Sequence, residues 1–311
     1  MMNSKYKFTI FTSCYNSEKF IHRLYNSLKA QSFRNFEWLI VDDFSNDSTT
    51  SILESIEREA PFDVRVFYNK SNQMIASCCN FAVKNADGEF FIFLDHDDEL
   101  VPQALERFND IWNDIPVDHK SNLAGMMSNC QDQHGNFFQD ELPEPPCITS
   151  FYSMYYELGI KGEKLFCYLT SVMLKNNFSV IDRYVPENVV LLNISDEYDT
   201  YFFNENLRIY HVNQPDHESL SQKLTRGWKI TFPLGMRHAK LEDLNRRSMK
   251  MMRDPFLFFS TIIHFYRFSL HANITFKESF DDLNSLVLKV LLCLIAPFSL
   301  LLYLMDKKKV K

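Results

Sequence analysis

The chain has 311 residues, 46% of them apolar, enough to bury a full core in one large domain or one and a half. A formal net charge of -7 argues against nucleic acid as the main partner, because a phosphate backbone calls for a basic surface. The 7 cysteines follow no zinc-binding spacing and fall mostly in apolar runs, so reduced, buried thiols of a cytosolic protein are expected.

The first residues lack the long apolar stretch of a signal peptide, which predicts that the N-terminal part stays in the cytoplasm. Residues 8–12 are short, apolar and β-prone. Residues 17–31 carry Phe20, Ile21, Leu24 and Leu28 at helical spacing, with Ser17 placed as an N-cap. Residues 36–41 (FEWLIV) predict a second strand that stops at Asp42 and Asp43. Asp47 or Ser48 then caps a helix whose apolar face is Ile52, Leu53 and Ile56. A third strand alternates over 64–68 and a helix runs from about 74 to 86. The turn Asp87-Gly88 leads into a fourth strand over 89–94. Another helix starts near Pro102, with Leu105, Phe108 and Trp112 on one side. Strands that alternate with helices and are apolar on both faces predict an α/β fold with a mostly parallel central sheet flanked by helices.

In such a sheet, ligands bind at the carboxyl ends of the strands. Thr12 and Ser13 end the first predicted strand, Asp42 and Asp43 the second, and Asp95, Asp97 and Asp98 the fourth. The tetrad Asp95-His96-Asp97-Asp98 follows the apolar run 90–94 directly and is the strongest of these signals. Crowded carboxylates at the end of a buried strand repel one another. A hard Mg²⁺ or Mn²⁺ removes that repulsion and bridges to substrate phosphates. A phosphate-bearing substrate held through a metal is therefore expected.

Other readings of these aspartates fit less well. A calcium loop counted from Asp95 has Leu100 where glycine is needed, and Pro102 falls inside it. A phosphorelay receiver would carry the aspartate pair after its first strand and an Asp at the end of its third, where this chain has Tyr68-Asn69. An aspartyl-phosphate phosphatase would place Asp-x-Asp at the first strand. Asp42-Asp43 alone also reads as a turn-and-cap pair. His96 is expected to point away from the face shared by Asp95 and Asp97.

Four stretches resemble the family-2 glycosyltransferases: residues 8–16 (FTIFTSCYN), 39–50 (LIVDDFSNDSTT), 80–94 (NFAVKNADGEFFIFL) and 95–105 (DHDDELVPQAL). Residues 161–165 (KGEKL), 184–190 (YVPENVV) and 204–211 (NENLRIYH) resemble later segments of a bacterial branch, one that assembles surface polysaccharide. The resemblance implies a nucleotide-sugar-binding fold of two abutting Rossmann-like halves. Its catalytic domain would span 1–220, with a nucleotide-binding half at 1–115 and an acceptor half at 116–220. Asp43 would accept a hydrogen bond from the base, usually uracil, with Thr12 or Ser13 nearby. Asp95 would face the ribose and the metal, Asp97 would ligate Mn²⁺ or Mg²⁺, and Asp98 would support the same metal site. The catalytic base is implied at Glu187 in Pro186-Glu187-Asn188, where Asn188 replaces the usual acidic follower. Proline followed by glutamate is also an ordinary, dipole-favoured helix start. The implied reaction is an inverting transfer from a nucleotide-sugar donor, usually a UDP-sugar, to a hydroxyl of a lipid-linked or glycan acceptor. Lys161 and Lys164 either touch donor phosphate or acceptor or are simply solvated. Residues 131–150 read as a mobile loop over the site.

Residues 286–305 are strongly apolar, interrupted by Lys289 and Pro297 and followed by Asp306 and a lysine cluster. Twenty helical residues reach ~30 Å, enough to cross a bilayer. A single crossing would put the lysines outside, against the usual preference. Residues 255–266 are also apolar but too short to span. Region 221–311 is therefore expected to be helical, with one helix, or a pair broken at Pro297, lying in the cytoplasmic leaflet of the cell membrane. The alternative is a terminal helix packed on the protein's own core or on a second subunit of a homo-oligomer. Two rival functions stay open: a nucleotide-sugar-binding partner that has lost catalysis, and a membrane-tethered scaffold.

Overall fold

The computed structural model describes residues 4–137, 145–212 and 231–309. The chain divides into two compact units, one of residues 1–178 and 190–215 and one of residues 179–189 and 216–311.

In the first unit, β1 (Tyr6–Cys14), β2 (Phe36–Asp42), β3 (Asp63–Tyr68) and β4 (Gly88–Phe93) run parallel. They are linked by α1 (Ile21–Lys29), α2 (Thr49–Glu59) and α3 (Met74–Asn85), and α4 (Ala104–Asp114) follows. The remaining strands are β5 (Glu99–Leu100), β6 (Leu123–Asp132), β7 (Cys147–Thr149), β8 (Lys164–Leu169) and β9 (Asp199–Tyr210). They complete one sheet in the order β3-β2-β1-β4-β8-β6-β9-β5, with β7 on β9. β8 is antiparallel to both β4 and β6, so the sheet is mixed with a parallel half. Strands from the segment expected to serve the acceptor thus continue the nucleotide-side sheet.

Sequence pattern explains this half directly. Every residue of β2 is buried, as a strand covered by helices on both faces requires. In α1 the buried Ile21, Leu24 and Leu28 recur at spacings of three and four, and in α4 Leu105, Phe108 and Trp112 do the same. These faces join the strand side chains Phe8, Ile10, Trp38, Phe90 and Ile92 in one core, where a fully buried large apolar side chain is worth roughly 1.5–3 kcal/mol. β4 must begin with glycine, because a Cβ on Gly88 would lie 2.3 Å from the Thr9 backbone nitrogen.

Several local expectations differ from the structure. Ser17 does not cap α1, which starts after Phe20. Instead its hydroxyl accepts the Tyr15 N–H at 3.2 Å and its carbonyl accepts the N–H of Ile21. For α2 the work falls to Asp47, which accepts the Thr49 N–H at 3.0 Å. Of the expected loop 131–150, residues 131–132 close β6 and 147–149 form β7, while 138–144 lie outside the described residues. All 7 cysteines are free thiols, with Cys14, Cys78, Cys79, Cys130 and Cys167 buried.

The second unit is helical, with helices Pro233–Met251, Pro255–His271, Phe276–Asp281 and Leu286–Lys309. Asp254 caps the second by accepting the Leu257 N–H, and Thr275 with Glu278 forms a capping box on the third. The last helix runs unbroken past Pro297, so of the two arrangements expected here the structure has one helix and not a broken pair. Proline removes one hydrogen bond there. The helix, 24 residues long, packs along Pro255–His271 and keeps Leu288, Leu292, Ser299 and Asp306 buried. Asp306 is also fixed by Arg267 at 2.6 and 2.7 Å and by His271 at 2.9 Å. Its charge is therefore spent on the neighbouring helix, and Lys307 and Lys308 stay exposed beside it.

Candidate active site

The chain runs outward from β1 to β2 and β3, then returns to β4 on the other side of β1. This reversal is a topological switch point, the place where open α/β sheets bind ligands. Asp43 follows β2 and the tetrad follows β4, so both stand on the carboxyl edge with only β1 between them. At ~4.8 Å per strand the two strand ends are about 10 Å apart.

Thr12 is fully buried. Its hydroxyl donates to the Leu94 carbonyl at 2.9 Å and accepts the Trp38 indole N–H at 3.0 Å, tying β1, β2 and β4 together just under the edge. Both bonds are internal, so Thr12 is a strut of the site rather than a ligand contact. The half-buried Ser13 is the member of the pair nearer the surface.

Asp42 and Asp43 are both buried and do different work. Asp42 closes its own loop by accepting from the Ser45 amide and from the hydroxyls of Ser45 and Thr50. Asp43 reaches across to the start of α3. Its Oδ1 accepts from Asn69 Nδ2 at 2.8 Å and Gln73 N at 2.7 Å, and its Oδ2 accepts from Met74 N at 2.8 Å. A carboxylate offers about four acceptor positions. Three are used by these donors, and the Cys78 thiol hydrogen-bonds to the same carboxylate.

The tetrad is organised by a residue that sequence reasoning did not single out. Arg208, on β9, is buried, and its guanidinium bridges Asp95 and Asp98, with Nε 2.6 Å from Asp98 Oδ2. The other Asp98 oxygen accepts the His211 N–H at 3.0 Å. Burial pushes the Asp98 carboxyl up to about 7 against the pull of Arg208, with Asp95 and Asp97 adding to the rise. Burial opposes the Arg208 charge, but Asp98 and Asp95 outweigh it and hold its pKa well above the ordinary value. Arg23 of α1 donates to the Asp97 carbonyl and lies 3.9 Å from Glu99, which in turn meets His211 at 2.7 Å. The His96 ring lies near Phe20, with centroids 6.3 Å apart.

Asp98 is buried, with Arg208 on one oxygen and the His211 N–H on the other, and is the least open of the three aspartates to a cation. Among the described residues no group of three His, Cys, Asp or Glu side chains is placed to hold a metal ion. The half-buried Asp95 and Asp97 remain as candidates. One or two carboxylates completed by substrate phosphate is a usual donor set for Mg²⁺ or Mn²⁺, so these residues fit a cation that arrives with a diphosphate and not an all-protein cage.

Glu187 belongs to the second unit, where it is exposed and directly precedes the helix Asn188–Ile194. Tyr184 shares that unit; burial pushes its hydroxyl up to about 12, and the Glu187 charge adds to the rise. Lys164 donates to Asn129 Oδ1 at 2.7 Å, and Lys161 lies 6.0 Å from the Tyr155 ring.

A sheet with a switch point and acidic residues on its carboxyl edge suits a nucleotide or another phosphate-bearing ligand brought with a cation. Residues 9–119, a little over a third of the chain, match glycosyl transferase family 2. The poly(ribitol-phosphate) β-N-acetylglucosaminyltransferase TarS of Staphylococcus aureus (strain Mu50) is 37% identical over 187 residues, which cover 59% of this chain and 30% of TarS. A teichoic acid poly(glycerol phosphate) polymerase of Staphylococcus epidermidis is 32% identical over 107 residues, 33% of this chain and 15% of that protein. The chain thus spans under a third of the length of these two relatives. The crystal structure of S. aureus TarS 1–349 in complex with UDP-GlcNAc matches with a TM-score of 0.56 at 20% identity, covering 84% of this chain and 81% of that one. A mannosyltransferase of Pyrobaculum calidifontis in complex with GDP-Man and Mn²⁺ matches at 0.52 and 14% identity, covering 98% and 85%. At these identities the likeness establishes the fold.

Proposed function

We propose that the chain is a glycosyltransferase that moves a sugar, with inversion, from a UDP-sugar to a hydroxyl of a lipid-linked or polysaccharide acceptor in cell-surface glycan synthesis. The observation that carries this reading is the placement of Asp43 and the Asp95–Asp98 tetrad on one carboxyl edge across β1. UDP-GlcNAc bound in TarS and the teichoic acid relatives supply the donor and acceptor classes. The sequence resemblance assigns Asp43 to the base, and Asp97 with Asp95 would hold Mn²⁺ or Mg²⁺. When bound, the cation neutralises charge developing on the diphosphate. The acceptor oxygen attacks the anomeric carbon, the bond from that carbon to the diphosphate breaks, and Glu187 takes the hydroxyl proton. The assignment of Glu187 rests on the sequence resemblance.

General-base help is worth ~10²–10⁴-fold, so Glu187→Gln is expected to lower turnover by about 10²-fold or more with unchanged UDP affinity. Normal transfer by this variant would remove Glu187 as the base. The whole reading is tested by incubating the protein with Mn²⁺ and a panel of nucleotide sugars. Slow donor hydrolysis is expected for at least one of them, whereas none with any donor would favour a binding partner without catalysis.

Attachment to the inner face of the cell membrane is part of this proposal. The stretch Leu286–Lys308 is long and apolar enough to cross a membrane, and 17% of it is buried. At 100° per residue the exposed Leu286, Val287, Val290, Leu294, Phe298 and Leu301 fall within an arc of roughly 120°, opposite the face buried on the protein. A helix apolar on both sides, packed on protein along one and bare along the other, suits a position in the plane of a leaflet, with Lys307 and Lys308 on anionic headgroups. The protein is expected to float with anionic-lipid vesicles. Replacing Leu294 and Leu301 together by glutamate should weaken that binding at least ~10-fold. A parent protein that stays with the soluble fraction would place the helix against protein instead.

A further inference from the structure

Glu187 is exposed, so burial does not hold it in place. The turn that carries it is held instead, by contacts that all lie within the second unit. The Pro186 carbonyl accepts the Val189 N–H at 3.1 Å, closing a tight turn with Glu187 and Asn188 at its crest. Val185 and Val189, at the two feet of this turn, are buried with Ala239 of the helix Pro233–Met251 in one small apolar cluster. One helical turn before Ala239, Gly235 lies flush against the backbone of the same segment. A Cβ on Gly235 would stand 1.8 Å from the Tyr184 carbonyl oxygen and 2.9 Å from its carbon. Asp182 completes the clamp. Its Oδ2 accepts the Gly235 N–H at 2.9 Å, and its Oδ1 accepts the Arg183 N–H at 2.7 Å. The helix starts after Phe232, whose side chain carries no acceptor, so Asp182 does for the Gly235 amide what an N-cap residue would do.

Glycine disfavours a helix, and Gly235 is not among the glycines with left-handed backbone. What it supplies is room for the segment 182–185 to sit directly on the first helical turn. The result is a carboxylate free to meet solvent on a backbone pinned from below. A general base has to stay within hydrogen-bond reach of the proton it takes, and a misplacement of about 1 Å can cost ~10²-fold in rate.

We propose that Gly235 and Asp182 are positioning residues for Glu187: the close seat at the start of the helix Pro233–Met251 sets where the turn Pro186–Val189 stands, and so where its carboxylate points. Both act through Glu187. This rests on the glycosyltransferase reading above and adds to it the element that aims the base.

Turnover of the fastest donor in the nucleotide-sugar panel, with Mn²⁺, and calorimetric UDP affinity test this in the full chain. Gly235→Ala is expected to lower turnover by ~10²-fold with UDP affinity unchanged, because the added methyl lifts the segment that carries Glu187. Asp182→Ala should lower it by about tenfold. Asp182→Asn should restore most of that loss, since its amide oxygen still accepts the Gly235 N–H. In a Glu187→Gln background neither change should alter the remaining turnover by more than about twofold, because the group they aim is gone. Equal losses in both backgrounds overturn the proposal, since they mark a role that does not run through Glu187. So does parental turnover in Gly235→Ala, or an Asp182→Asn protein as slow as Asp182→Ala. The Asp182 variants decide the matter if Gly235→Ala does not fold. A parent protein that turns over no donor, or a Glu187→Gln protein with parental turnover, would instead overturn the functional reading itself.

Discussion

Asp97→Ala is expected to lower sugar transfer by about 10³-fold or more, because stabilising the diphosphate leaving group through a cation is worth several kcal/mol and each 1.4 kcal/mol is a factor of ten. The sequence resemblance assigns the cation to this aspartate. Asp98 pairs with Arg208 and the His211 amide, and Asp95 shares the same arginine. Asp97 is half-buried, and its carbonyl accepts from Arg23. The fold should tolerate the change, with the melting temperature shifting by no more than about 2 °C. Transfer assayed with excess Mn²⁺ checks the first part and scanning calorimetry the second. Activity above a tenth of the parent would remove Asp97 from the cation site.

Arg208→Met should produce the largest loss of stability. Removing one partner of a buried ion pair strands the other, at a cost of roughly 3–5 kcal/mol, which corresponds to a fall in melting temperature of about 10 °C. Asp98 is the stranded group, buried and with its second oxygen bound to a backbone amide. Replacing Asp98 by asparagine in the same protein should recover a large part of the loss, since an amide needs no counter-charge. The coupling in a double-mutant cycle measures the pair directly. Additive losses would mean that Arg208 and Asp98 do not depend on each other.

The contrast between Asp97 and Arg208 shows what the sequence makes legible. β1, β2 and β4 announce themselves as unbroken apolar runs, and each ends at polar residues. Their carboxyl-edge placement follows from parallel topology alone. Side-chain partners across the fold are not encoded locally. Arg208 stands 110 positions from Asp98, and its one local sign is a charge between the apolar Leu207 and Ile209 of β9. That sign would have pointed to a buried counter-charge, though not to which one. Thr12 misled for a related reason. A hydroxyl at a strand end reads as available, and only the register that brings Leu94 and Trp38 beside it shows that it is spent. β6 and β8 were unreadable as partners because strand patterning sets which face is buried and leaves direction and neighbour open. At Pro297 propensity leaves one helix and a broken pair both open, and packing along the neighbouring helix decides for one.

The most direct test of the account is a crystal structure of the protein grown with UDP and Mn²⁺. It should show the base against Asp43 and the diphosphate with its cation beside Asp97, on the carboxyl edge between β2 and β4. Density for the nucleotide anywhere else, with Asp43 and Asp97 both bare, would contradict it.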